Sequence, residues 1–217
     1  MLAKTFALFV KDFQLDFRQR FALGSIILYV IAAIFIIYLA FREVTAEEWV
    51  VLYWIVVLFT SVNAVLKAFT QEGDKRNLYY YTIIEPMPMI LAKLTYNFLL
   101  LLILAFFTTI IFSVFTTFPI VSTAYFGLTV ILACLGIATN FSFISTIAAK
   151  TRNKSTMMMI LSFPVIIPLL LPVVQLSLKT LDQVSWKSIR EDFYLLIAID
   201  LLILGISLVI WPLLWRE

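Results

Sequence analysis

The chain has 217 residues, 63% hydrophobic and only 13% charged, where a soluble domain carries roughly a quarter of its residues charged, so an ordinary soluble fold is excluded. It contains no histidine and Cys134 is its only cysteine, which excludes zinc-type clusters and a disulfide within the chain. The net charge of +3 and pI near 9.0 come from bases that flank apolar runs and form no patch on a soluble body, so they report membrane topology and not nucleic-acid binding.

The apolar runs are each about 20 residues or longer, the length a helix needs to cross a hydrocarbon core of about 30 Å. The alternation expected of an outer-membrane barrel strand is absent. The expected fold is all-α: a polytopic membrane protein of six transmembrane helices preceded by an interfacial helix, forming one domain over 1–217. No internal repeat, linker or second domain is visible.

In chain order, residues 1–20 place Leu2, Phe6, Phe9, Phe13 and Phe17 at spacings of three and four, the pattern of an amphipathic helix lying in the membrane interface. Charges run through it and no small-residue cleavage site closes it, so it is not a signal peptide. It serves as a plain anchor or as a docking surface for a cytoplasmic partner. Spans are predicted over 21–41, 49–66, 94–118, 124–149, 156–178 and 193–215. They are joined by a short link at 42–48, a charged stretch at 67–93, a tight turn at Pro119, a basic link at 150–154 and a polar outer segment at 179–192.

Six spans put both termini on one side. That side receives twelve of the sixteen Lys and Arg residues: Lys4, Lys11, Arg18, Arg20, Lys67, Lys75, Arg76, Lys93, Lys150, Arg152, Lys154 and Arg216. The acids outside Asp200 split six and six. The positive-inside rule then places the termini and the 67–93 stretch in the cytoplasm, with Trp49 and Tyr194 expected in the outer aromatic belt and Trp211 and Trp215 in the inner one.

Asp200 is the one ionisable group read as lying well within a span, about seven residues from the outer end of the sixth, and an intramembrane carboxylate is a candidate functional group by default. A coupling or gating contact and a packing partner for a polar side chain are both open to it. Small and polar residues gather on the fourth span at Gly136, Thr139, Asn140, Ser142, Ser145, Thr146 and Ala149, with Asn63 and Asn97 placed to join them. Such residues let helices approach and bond to one another. Pro164, Pro168 and Pro172 fall four apart in the fifth span, which is expected to kink or break there, as either a moving part or a static bend. Met157, Met158 and Met159 are consecutive and point about 100° apart on a helix, so they cannot converge on one metal ion.

No phosphate loop, dinucleotide-binding glycines, nucleophile elbow or HExxH occurs. The chain is therefore not expected to hydrolyse ATP or to bind a cofactor. The absence of histidine also removes the commonest axial ligand of haem iron.

The 71–90 stretch divides into a polar turn, an apolar and aromatic run at 78–84, and the prolines of Glu85-Pro86-Met87-Pro88. Proline fixes its own φ and pushes the preceding residue to extended geometry. The expected result is a short interfacial helix ended by a stiff elbow.

This order of elements resembles the six-span membrane subunit of an ABC-2 type exporter. More narrowly the chain resembles the CcmB family, in its length, in Pro86-Met87-Pro88 leading to Leu91-Ala92-Lys93, and in Phe163-Pro164 through Ile167-Pro168-Leu169-Leu170. It departs from that family's pattern at Arg76-Asn77-Leu78-Tyr79-Tyr80. The resemblance implies a CcmA-like ATPase partner that uses the ATP, CcmC-like and CcmD-like membrane subunits, a second copy of the chain, and a place in the bacterial inner membrane. It implies ATP-driven release of a haem-loaded chaperone, or haem export, in cytochrome c maturation. Asp74, Leu78, Tyr81, Glu85, Pro86, Met87 and Pro88 would then meet the ATPase, with Pro164, Pro168 and Pro172 as the gating kink and Asp200 and Asn140 as intramembrane polar groups. Alternatives are an ABC-2 permease for lipid, polysaccharide or drug, a membrane scaffold without an ATPase, and an ion-coupled carrier built on Asp200.

Overall fold

The computed structural model describes residues 5, 8, 20–41, 43–70, 86–149 and 154–216. Among them helix is the only regular structure, in six long elements: α1 (Arg20–Ala40), α2 (Ala46–Thr70), α3 (Pro86–Phe115), α4 (Thr123–Ala149), α5 (Lys154–Lys179) and α6 (Trp186–Arg216). Five of the six, α2 to α6, contain stretches long and apolar enough to cross a membrane; in α1 the residues whose side chains are described, Gly24–Ala40, are apolar as well. The interfacial helix of 1–20 and the aromatic run at 78–84 lie outside the described residues, residues 5, 8 and 20 excepted.

Three connections, at 41–45, 116–122 and 180–185, are short and lie at one end of the bundle. Short links make sequential helices antiparallel neighbours. α4 is the central helix: it packs against α3, α5 and α6, and more lightly against α2, while α1 leans on α2 and α3. Residues of α4 such as Ala133, Ile137, Ala138, Phe141 and Ile144 are accordingly buried. Large apolar side chains of the outer helices, among them Leu28, Ile36, Val114, Leu201 and Val209, are exposed, as lipid-facing positions must be where the surrounding solvent is itself apolar.

Helix starts follow local chemistry. At α2, Glu48 Oε2 accepts from the Thr45 backbone N–H at 2.9 Å, and Thr45 Oγ1 accepts from the Glu48 N–H at 3.3 Å. This reciprocal capping box satisfies donors that the first helical turn leaves free.

Four expectations need correction. α3 begins at Pro86, so Pro86-Met87-Pro88 is the first turn of a continuous 30-residue helix, and Met87 is helical. Proline is tolerated there because first-turn N–H groups have no intrahelical acceptor to lose. α5 runs unbroken from Lys154 to Lys179 through all three prolines, so of the expected kink or break the break does not occur. α6 begins at Trp186, well before the expected start at 193, so the polar residues 187–192 form its first turns. Trp49 is 1% exposed and faces the interior. Its indole N–H donates to Thr116 Oγ1 at 2.9 Å and its ring stacks on Tyr53 at 5.3 Å. A belt residue keeps its polar handle for the membrane interface; this one has its partner inside. Tyr194, by contrast, is exposed.

Candidate functional site

Helix α4 seats the one carboxylate that is buried among the described residues. Gly136 lies at the middle of α4, and a β-carbon built on it would collide with Asp200 Oδ1 of α6 and would lie 2.8 and 2.9 Å from Leu169 Cδ1 and Cδ2 of α5. The bare Cα is what lets three helices close around that point. Asn140, one turn along the same face, is fully buried and returns its Nδ2 to the Gly136 carbonyl oxygen at 3.0 Å. Asp200 and Asn140 therefore each approach the same glycine.

Asp200 is 3% exposed, and neither of its oxygens has a hydrogen-bond partner. Asn140 Oδ1 is likewise buried and unpartnered. Asp200 stands near the middle of the 31-residue α6, and about two turns into its apolar part, which follows Asp192. A charged side chain at that depth costs about 3 kcal/mol or more on insertion scales, which is why such groups are paired or functional.

The remaining polar residues of α4 mostly serve their own helix. Thr139 Oγ1 donates to the Leu135 carbonyl oxygen at 2.8 Å and Ser145 Oγ to that of Ser142 at 2.8 Å, the local back-bonding open to Ser and Thr in helices. The cross-helix link is Asn97 of α3, whose Nδ2 donates to Ser142 Oγ at 2.9 Å. Asn63 is exposed and does not join it.

Of the expected partner-contact residues, Asp74, Leu78, Tyr81 and Glu85 lie outside the described residues. Pro86, Met87 and Pro88 open α3, with Pro88 and its successors Met89 and Ile90 buried. In α5, Pro164 and Pro168 are exposed and Pro172 is buried. One helical turn beyond Pro172, Ser177 Oγ accepts the Trp54 indole N–H at 2.9 Å and donates to the Val173 carbonyl oxygen at 2.8 Å. That junction ties α5 to α2.

At the end with the short connections, Ser122 is a hub that sequence reading missed. Its N–H donates to the Thr180 carbonyl oxygen at 3.0 Å, its Oγ donates to that of Asp182 at 2.7 Å, and Val184 N–H donates back to Oγ at 3.3 Å. The two turns are thereby joined. Lys179 pairs with Asp192 at 2.5 Å beside them, and Trp186 stacks on Tyr125 and Phe193 at centroid distances of 6.1 and 5.7 Å. The 179–192 segment is thus the end of α5, a turn and the start of α6. Nothing marks a lone serine in sequence as such a hub, whereas Gly136 and Asn140 carried a signal in their one-turn spacing on a helix with no charged residue.

Antiparallel apolar helices around a polar central seam define a helical multi-pass membrane protein. The family model described as CcmB protein matches residues 3–212, and the chain belongs to that family, the membrane subunit of haem export and cytochrome c maturation. No curated protein and no solved structure matches it.

Proposed function

We propose that the chain is the membrane subunit of an ATP-driven complex for cytochrome c maturation, coupling hydrolysis by a partner ATPase to release of a haem-loaded chaperone or to haem export. The observation that carries this reading is the family match across 3–212, nearly the whole chain. The sequence holds no phosphate loop, so hydrolysis falls to a CcmA-like partner and this chain binds no cofactor of its own. With no histidine available for haem iron, haem stays with CcmC-like and chaperone partners. A CcmD-like subunit and a second copy of the chain complete the assembly.

The arrangement is six spans in the bacterial inner membrane, with both termini and the 71–90 stretch in the cytoplasm. The twelve-to-four distribution of bases supports it. The ATPase presses on Asp74, Leu78, Tyr81 and Glu85 and on the α3 start at Pro86, Met87 and Pro88. Because α3 is one continuous helix from Pro86 onward, a push there moves it as a rod. The Asn97–Ser142 bond then hands the displacement to α4, and the contacts of α4 with α5 and α6 carry it toward the Ser122 hub.

Affinity purification of the tagged chain in mild detergent tests the reading. A nucleotide-binding subunit should co-purify in stoichiometric amount. Recovery of the chain with none contradicts the ABC reading and favours a scaffold.

A further inference from the structure

Three buried oxygens at the centre of the bundle, Asp200 Oδ1, Asp200 Oδ2 and Asn140 Oδ1, have no hydrogen-bond partner. With an ionised carboxylate all three are acceptors; one N–H of the Asn140 amide goes to the Gly136 carbonyl oxygen, and its second N–H reaches neither Asp200 oxygen. A buried group of surplus acceptors is stabilised when it holds a cation, when water donates to it, or when one acceptor becomes a donor.

Among the described residues no side-chain cation supplies the balance. On α4 no residue is charged, and its titratable residues lie elsewhere: Tyr125 is in the first turn, and Cys134 is about 200° round the helix from Gly136, on the side toward Tyr53 of α2. On α5 no charged residue lies between Lys154 and Lys179. The charged groups of α3 and α6 other than Asp200 are Lys93, in the opening turns of α3, and Lys187, Arg190, Glu191, Asp192 and Arg216, in the terminal turns of α6; the tyrosines Tyr96 and Tyr194 belong to those same outer portions. A metal ion is poorly served too, because hard cations take six or more oxygens and the third wall here is the isobutyl group of Leu169.

We propose that Asp200 and Asn140 form a proton-binding site at the α4–α5–α6 junction, with Asp200 a neutral carboxylic acid whose O–H donates to Asn140 Oδ1. One proton turns the three orphan acceptors into a donor–acceptor pair and removes the buried charge. Gly136 is part of the site because it makes room for the carboxyl on α4. Parting of the α4–α6 seam admits water, which accepts the proton, and reclosure requires the proton back. The seam is therefore a proton-linked contact, whichever complex the chain serves.

Infrared difference spectroscopy at neutral pH on the purified full chain in lipid nanodiscs reads the protonation state directly. Wild type minus Asp200→Asn should show the C=O stretch of a protonated carboxylic acid, and Asn140→Ala should shift that same band to higher frequency by removing its acceptor. Absence of any carboxylic-acid band lost on Asp200→Asn overturns the proposal, as does an ionised carboxylate band that responds to added sodium or potassium. A band unchanged in Asn140→Ala overturns the two-residue site. If Asp200→Asn does not fold, the Asn140→Ala comparison against wild type still decides it.

Discussion

Trp54 of α2 donates its indole N–H to Ser177 Oγ of α5 at 2.9 Å, and both residues are buried. Ser177→Ala leaves that N–H without an acceptor inside an apolar bundle, where a lost buried bond costs about 1–3 kcal/mol. The thermal midpoint in detergent should fall. Adding Trp54→Phe should cost less than the sum of the two single changes, because the orphaned donor disappears with it. A double-mutant cycle by thermal unfolding measures the coupling.

Gly136 supplies a size-exclusion test with internal controls. Gly136→Ala drives a methyl group into Asp200 and Leu169, and overpacking of this kind typically costs 1–3 kcal/mol, ~2 at the midpoint of that range. Gly24 and Gly127 have nothing within 4 Å of a built β-carbon. Alanine there should be neutral or stabilising by up to about 1 kcal/mol through helix propensity alone. Monodisperse yield and thermal midpoint should rank Gly136→Ala well below both controls.

Ser122 and Lys179 separate a hydrogen-bonded link between two turns from a surface ion pair. Ser122→Ala removes the Oγ bonds to the Asp182 carbonyl oxygen and from the Val184 N–H, leaving of the hub's three bonds the one from the Ser122 N–H to the Thr180 carbonyl oxygen. Lys179→Ala removes only a solvent-accessible ion pair, worth about 0–1 kcal/mol. Limited proteolysis within 180–185 should therefore accelerate in Ser122→Ala and stay near wild type in Lys179→Ala.

Replacing Pro86, Met87 and Pro88 together by alanine keeps α3 helical, since alanine is the best helix former, but removes the prolines that fix where the helix begins. Membrane insertion should be unchanged, and ATP hydrolysis by the assembled complex should fall several-fold. Equal ATPase rates in wild type and variant contradict a coupling role for this turn.

The sequence made the helices legible and left their ends and partners hidden. Each span announces itself by some twenty apolar residues, because lipid offers the backbone no partners and helix is the solution for such a segment. The start of α6 does not, since Lys187, Arg190, Glu191 and Asp192 have the composition of a loop although they extend a helix beyond its apolar part. The prolines of α5 misled only as to a break: proline removes one backbone bond at each position, yet neighbouring helices hold the rest of the turn in place. Trp49 had the composition of a belt residue, and only the tertiary position of Thr116 shows that its indole points inward. For the site, Asp200 and Asn140 were visible as unusual residues, while the approach of Asp200 to Gly136 depends on how α4 and α6 cross.

The central claim, that the chain serves cytochrome c maturation as the membrane partner of an ATPase, is tested most directly by covalent haem staining of membrane fractions. Cells lacking the chain should contain no holo-cytochrome c and should regain it when the wild-type chain is supplied together with an active ATPase subunit, but not with an ATPase whose phosphate-loop lysine is replaced. Normal holo-cytochrome c in cells without the chain would contradict the account.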